Sequence, residues 1–339
     1  MIKYLGSKRQ LIPWIIQTIK ENFNDINSAA DIFSGTSRVG YALKEQGLQV
    51  HSNDHNTFAF HIANCYIATN KEDLPQNISA IINHLNNLTP KYGFFTENYC
   101  IKSRFFNPKN GEKIDAIRTE ISNLDVSEKI RSVLLVSLME AADRIDSTCG
   151  IQMAYLKNWA NRANKDVLLR IPKLLENKSQ KTHHAYCLDA LEIANKISSC
   201  DLAYLDPPYN QHSYRSNYHI WETLVKWDFP DTYGTVQKRI DCQSIKSDFN
   251  SKKKFKESLE KLIHSIKTKY LVLSFSNEGF ITKEELEQIL KKWGKLSVYS
   301  IDYRRYVGAQ IGIYNQKGVK VGNIKNLYNK EFLYLASQA

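Results

Sequence analysis

The chain has 339 residues, 42% of them hydrophobic and 24% charged, with a formal net charge of +11. No run of about 18 apolar residues occurs and the start, MIKYLGSKRQ, lacks an apolar signal-peptide core, so a transmembrane or secreted protein is not expected. The six cysteines (65, 100, 149, 187, 200 and 242) form no C-x-x-C pair and no zinc spacing, and His183-His184-x-x-Cys187 is the single local cluster, so the expectation is a reduced, cytoplasmic protein without metal. A basic balance spread along a globular chain predicts a polyanionic partner, most simply nucleic acid.

In chain order, the first predicted element is a helix from about Gln10. Leu11, Ile15 and Ile19 share one face, and Pro13 fits only its first turn. "SAADIFSGTSRVGYALKEQG" then predicts a strand over Ala29–Phe33, a tight turn, and a helix that buries Val39 and Leu43 before a C-cap at Gly47. "LQVHSND" predicts a second strand ending at Asp54, completing a β-α-β unit over 29–54. The middle of the chain changes character. Ile114, Ile117 and Ile121, then Ile130, Leu134 and Leu138, recur at helical spacing. Near Leu202 the strand pattern returns, with "KYLVLSFSN" (269–277) as a further strand and "TKEELEQILKKWG" as a helix. Two last strands follow, separated by a loop that interleaves Gly308, Gly312, Gly318 and Gly322 with Lys317, Lys320 and Lys325. The expected architecture is an α/β, Rossmann-like sheet domain (1–64 and 186–339) carrying a mainly helical insertion (65–185).

Three features carry chemistry. Phe33-Ser34-Gly35-Thr36-Ser37-Arg38-Val39-Gly40 is nearly G-x-G-x-x-G after a strand, with Ser37 at the second glycine. That glycine normally admits a pyrophosphate, so its loss argues against a dinucleotide. Asp54 lies 19 residues after Gly35, at the end of the next strand, where an acid hydrogen-bonds a ribose. S-adenosylmethionine, with a ribose and no phosphate, fits both. Asp206-Pro207-Pro208-Tyr209 is the third, at the end of the strand "LAYL". Prolines end sheet pairing and leave a rigid corner. There the Asp206 carboxylate and the Pro207 carbonyl are placed to grip both hydrogens of an aromatic amine, with Tyr209 to stack on its ring.

Together these motifs resemble the alpha-class, Dam-like adenine DNA methyltransferases, and within them the restriction-system subgroup whose Asp-Pro-Pro-Tyr is followed by Asn. The resemblance spans most of the chain. "KYLGSK" (3–8) is similar to the family's N-terminal cofactor motif, which implies that Tyr4 packs on S-adenosylmethionine and Lys8 contacts its methionine end. "DIFSGTSRVG" is similar to the D-x-F-x-G-x-G loop, implying cofactor contacts at Phe33, Ser34 and Gly35, while Asp54 matches the ribose acid and Asp206 the catalytic one. "SNYHIWETL" (216–224) matches the segment that follows. "AADRIDSTCGIQMAYLK" (141–157) resembles another stretch of the subgroup but departs at Ser147, Cys149 and Gln152, positions that bear on target choice. The motif order implies target recognition in the insertion, and the resemblance implies double-stranded DNA as substrate; the chain shows no nuclease motif, so the sequence leaves open whether a cognate restriction endonuclease exists and any cutting activity is expected on another chain.

Weaker candidates are Asp189, facing the cofactor's adenine or capping a helix, and Tyr218 and His219, lining a flipped-base pocket or filling the core. Arg104, Arg144, Lys157, Arg239, Arg304 and Arg305, and the loop "SRFFNPKNG" (103–111), are candidates for DNA contact or ordinary surface. The alternatives to a DNA adenine methyltransferase are an RNA or protein-glutamine methyltransferase, an inert DNA-binding subunit, and a nicotinamide dehydrogenase.

Overall fold

The computed structural model describes residues 1–338 apart from positions 149, 198, 212, 305–312, 315–319 and 323–327. Seven strands form one sheet: β1 (Ser28–Asp31), β2 (Gln49–Asn53), β3 (His184–Tyr186), β4 (Cys200–Leu205), β5 (Thr268–Ser276), β6 (Lys295–Arg304) and β7 (Tyr328–Ser337). Their order across the sheet is β3-β2-β1-β4-β5-β7-β6. The first five pair in parallel, and β7 inserts antiparallel between β5 and β6. The order reverses between β1 and β4. In open α/β sheets, ligands bind beyond the strand ends at that place.

Helices cover both faces: α1 (Ile12–Asn22), α2 (Arg38–Glu45), α3 (Thr57–Ala63), α4 (Ile78–Asn87), α5 (Pro108–Asn123), α6 (Glu128–Asp143), α7 (Ala190–Lys196), α8 (His219–Lys226), α9 (Phe255–Ser265) and α10 (Lys283–Trp293). Side chains alternate across a strand, and β4 shows the consequence. Leu202 and Tyr204 enter one core with α1, α2, α3 and α8; Ala203 and Leu205 enter the other with α7, α9 and α10. A strand buried on both faces needs a continuous apolar run, which is why "LAYL" looked strand-like without alternation.

The helices of the middle segment pack on the first face. Ile114, Ile117, Ile121, Leu134 and Leu138 belong to the same cluster as Val50, Leu202 and Val272. From 144 to 183 the chain is largely irregular, with one bridge between Thr148 and Tyr155 and a short 3-10 turn, Asn161–Asn164. The helical expectation therefore fails over this stretch. Asp146 organises it instead, accepting from Lys3 Nζ at 2.7 Å and Arg162 Nε at 2.9 Å. The sheet resumes at His184 in the three-residue edge strand β3, too short to carry a period in the sequence. β1 stops at Asp31, two residues before the expected end, because the chain turns there to start the cofactor-type loop. The Gly/Lys-interleaved loop between the last two strands falls mostly outside the described residues.

Candidate active site

A cleft with about 590 Å³ of open space lies beyond the carboxyl ends of β1, β2 and β4. Its walls come from four places. Tyr4, Ser7 and Lys8 enter from the N-terminal segment, and Phe33, Ser34, Gly35 and Arg38 from the turn after β1. Asp54 and Asn56 follow β2, and Asp206, Pro208 and Tyr214 follow β4.

The local chain explains why the loops meet here. Gly35 has φ +49°, and its N–H donates to Asp54 Oδ2 at 3.0 Å. Asp54 Oδ1 accepts from the Asn56 N–H and from Asn56 Nδ2, both at 2.9 Å. A side chain at position 35 would bring its Cβ to 3.0 Å from the Tyr4 ring, so it would crowd that ring as well as strain the backbone at this φ. Tyr4 in turn stacks with Tyr214 at 4.9 Å and Tyr218 at 4.8 Å. Ser37, where the resemblance places glycine, has φ +56°, is fully buried, and its Oγ has no partner. The left-handed conformation costs an L-residue about 1–2 kcal/mol. Ser37→Gly is therefore expected to leave stability unchanged or raise it by up to about 1 kcal/mol, while the β-branched Ser37→Val loses at least about 2 kcal/mol. Urea unfolding of the three proteins checks both signs.

Asp206 sits at the mouth of this loop system, its side chain 20% exposed. Lys8 Nζ lies 3.0 Å from Asp206 Oδ1 and 2.8 Å from Glu331 Oε1. Burial raises the Asp206 pKa to about 6, opposed by Lys8 and reinforced by Glu331. The two carboxylates hold the Lys8 ammonium well above its ordinary pKa despite burial. Pro207 is buried and Pro208 lines the cleft; Tyr209 is half-buried, edge-on to Phe275 at 5.4 Å.

The donor set fits a cationic nucleoside cofactor. Ser7 Oγ, Ser34 Oγ and Asn56 Oδ1 all belong to cleft residues and are buried without partners, as groups awaiting a ligand's hydroxyls and amines would be. Three carboxylates, Asp31, Asp54 and Asp206, face the cleft against the cations of Lys8 and Arg38. Sequence reasoning singled out neither Asp31, Arg38 nor Glu331. Asp31 and Arg38 lie inside the quoted motif and were legible by position; Glu331 lies far from every motif.

Several expected contacts are placed elsewhere. Asp189 is exposed and caps α7, its Oδ1 accepting from Leu191 N–H at 2.9 Å, and it does not line the cleft. Tyr218 is buried; its hydroxyl accepts from Leu5 N–H at 2.6 Å and donates to the Gly150 carbonyl, so it braces the N-terminal segment and does not reach DNA. His219 fills the core, with Nε2 3.0 Å from the Gln152 carbonyl, and burial lowers its pKa to about 3. Gln152 itself is buried and accepts from the Ile220 N–H at 2.8 Å, tying the irregular segment to α8. Arg239 is 2% exposed and makes a two-pronged bond to Asp228, 2.7 Å on each prong, with further bonds from Nε and Nη2 to Asp241. It is a structural cation, not a DNA contact. Arg239→Ala is expected to cost about 2–4 kcal/mol of stability with little change in DNA affinity for the folded fraction; thermal melts paired with a binding isotherm separate the two.

Three of the remaining basic candidates, Arg104, Arg144 and Lys157, lie in the middle segment. Arg104 lies over the Trp159 ring at 4.8 Å and donates to the Lys157 carbonyl; Lys157 and Arg144 are exposed. Arg304 closes β6 opposite Tyr328, and Arg305 lies outside the described residues.

Residues 4–289 match the family model for D12 class N6 adenine-specific DNA methyltransferases. The chain belongs to that family. It is 30% identical to the type II methyltransferase M.NlaIII of Neisseria lactamica, with 98% of each chain covered. It is 31% identical to the modification methylase StsI of Streptococcus sanguinis over 90% of this chain, and 31% identical to the type II methyltransferase M.FokI of Planomicrobium okeanokoites over the same share. This chain spans 49% of the former and 50% of the latter. A dehydrogenase is thereby set aside. Among the described residues no group of acidic, histidine or cysteine side chains is placed to hold a metal, and no helix is long and apolar enough to cross a membrane.

Proposed function

We propose that this chain methylates the 6-amino group of an adenine flipped out of duplex DNA, with S-adenosylmethionine as donor, as the modification enzyme of a restriction–modification system in the bacterial cytoplasm. One observation carries the reading. The carboxylate suited to an aromatic amine and the loops suited to a nucleoside cofactor open into one cleft, so donor and acceptor can meet. When bound, S-adenosylmethionine supplies an electrophilic methyl group on a sulfonium. The chain's own residues do the rest. Asp54 and the Gly35 turn hold the ribose side, and Ser7 and Ser34 offer hydroxyls. Asp206 and the Pro207 carbonyl accept from the target amine and return electron density to its nitrogen. Tyr209 stacks on the base, worth about 1–3 kcal/mol against an unstacking cost of a few kcal/mol.

We assign DNA reading to the middle segment, residues 65–185, with Arg104, Arg144 and Lys157 as surface cations. A second cleft, with about 920 Å³ of space open to solvent, lies beside the catalytic corner. It is lined by Gln211, Ser213, Ser216, Lys238, Lys246 and Asn250 among others, with no acidic residue among the described ones. Its chemistry suits a phosphodiester backbone. The double substitution Lys238→Ala/Lys246→Ala is expected to weaken DNA binding and to flatten the slope of log K against log salt by about 1.8, at about 0.9 per lost phosphate contact. An unchanged slope would remove this cleft from the DNA path.

The test of the function is methylation mapping. The chain is expressed in a host without DNA methylation, and the genome is read for 6-methyladenine. One short motif methylated throughout is the expected result. An unmodified genome, with protein that binds S-adenosylmethionine, overturns it in favour of an RNA acceptor or an inert DNA-binding subunit. A restriction endonuclease acting on the same motif would complete the proposed system.

A further inference from the structure

Glu331 lies in β7, beyond the residues that match the family model. Its register places it opposite Ser276 of β5 and Ile301 of β6, two residues before Leu333, whose partner is Ser274. Glu331, Ser274 and Leu333 therefore share a face, the face over which Lys8 is laid. The Glu331 side chain is 1% exposed. Its Oε1 accepts from both Lys8 Nζ and Ser274 Oγ, while Oε2 is buried without a hydrogen-bond partner among the described residues.

A buried carboxylate is costly unless paired. Here two carboxylates, Asp206 and Glu331, share one ammonium, and only Asp206 reaches the cleft. One ammonium would suffice for Asp206 alone, so the second carboxylate has no stabilising need behind it.

We propose that Glu331 is a positioning residue for methyl transfer: it retains Lys8 when Asp206 turns to the target amine, and it leaves the site one negative charge in surplus. This rests on Asp206 being the catalytic carboxylate. In the resting site Lys8 occupies one of the two Asp206 carboxylate oxygens, Oδ1. Without Glu331, releasing Asp206 would strand a buried cation; with Glu331, the ammonium shifts onto a carboxylate already in contact. During transfer the N–CH3 bond forms as the sulfonium S–CH3 bond breaks, the donor leaves as the neutral thioether, and the positive charge moves from sulfur to the amine nitrogen until the amine's proton passes by way of Asp206 to solvent. A surplus of negative charge held at the amine end of the site favours that movement of charge.

The charged and titratable groups facing Asp206 are Lys8 and Tyr4 from the N-terminal segment, Asp31 from β1, Tyr204 from its own strand, Tyr209 and Tyr214 from the catalytic loop, Tyr303 from β6 and Glu331 from β7. After burial itself, Glu331 is the group that raises Asp206. Removing its charge should therefore let Asp206 ionise at lower pH.

The experiment compares wild type with the isosteric Glu331→Gln on unmethylated genomic DNA, following transfer of labelled methyl groups from pH 5 to pH 9 (a range of about 4 pH units that brackets ordinary His and perturbed carboxylate titrations). The expected result is a kcat lowered at least about 10-fold, S-adenosylmethionine affinity unchanged within about twofold, and an acid limb of kcat/KM displaced to lower pH. A purely structural role would lower the amount of folded enzyme and leave the acid limb in place; that result, or wild-type kcat, overturns the proposal. If Glu331→Gln fails to fold, Ser274→Ala, which loosens Glu331 without removing its charge, is expected to lower kcat by a smaller factor, and wild-type kcat there overturns it equally. Wild type without methyl transfer would instead sink the assignment of function.

Discussion

Asp206→Ala is expected to lower kcat at least about 1000-fold while S-adenosylmethionine still binds within about tenfold of its wild-type affinity. The first half follows from the acceptor's chemistry. The lone pair of an aromatic amine is shared with its ring, and the nitrogen attacks only when its hydrogens are gripped and its developing charge is met. Alanine removes both the grip and the charge. The second half follows from the geometry around Lys8. With Asp206 gone, Lys8 keeps Glu331 at 2.8 Å, so no buried cation is stranded and the cofactor loops keep their shape. Asp54 and Gly35, which tie those loops together, are not touched by the substitution. The wild-type acid limb should also report Asp206. Its pKa is raised to about 6 and the ionised form is the active one, so kcat/KM should climb as pH rises through about 6 and level off above. Labelled-methyl transfer and calorimetric cofactor titration test both halves; an alanine variant within tenfold of wild type would sink the assigned role of Asp206.

The parts of this site that were legible in the sequence are those where local chemistry is forced. A glycine turn after a buried strand, an acid at the next strand end and a double proline after a third leave few alternatives. Asp54, Gly35 and Asp206 accordingly meet in one cleft. What was hidden depends on long-range pairing. Glu331 reaches Lys8 across 323 positions only because β7 inserts between β5 and β6, and no local pattern announces that partner. Arg239 illustrates the opposite error. Its sequence neighbourhood is that of a surface cation, yet Asp228 and Asp241 fold around it and bury it. Tyr218 is similar: an aromatic after the catalytic corner suggested a base pocket, but its hydroxyl is spent on the Leu5 amide. The irregular stretch 144–183 escaped because its order comes from polar tethers such as Asp146 and Gln152, which carry no period.

Asp31 yields a prediction of comparable size. It is 1% exposed, its Oδ2 accepts from the Gly40 N–H at 3.0 Å, and burial raises its pKa to about 7, with Asp206 and Asp54 adding and the Gly40 bond opposing. Because the folded value lies above the unfolded one, the native state holds a proton that the unfolded chain has lost. The stabilising contribution is thus complete in acid and disappears as pH rises through about 7, a span of about 4 kcal/mol at 1.36 kcal/mol per pH unit. A bound sulfonium would reverse that cost, since a cation in the cleft favours the ionised carboxylate. S-adenosylmethionine affinity should therefore increase with pH up to about 7 and then level off, with a proton released per molecule bound on the acid side. The demethylated product lacks the sulfonium and should show a shallower rise. Asp31→Asn, which can still accept from Gly40, should be more stable than wild type at pH 8 and should bind the cofactor with little pH dependence. Calorimetry in two buffers of different ionisation enthalpy counts the proton directly. Equal pH profiles for wild type and Asp31→Asn would show that Asp31 does not change protonation over this range and would overturn the assignment of the cofactor-linked proton to it.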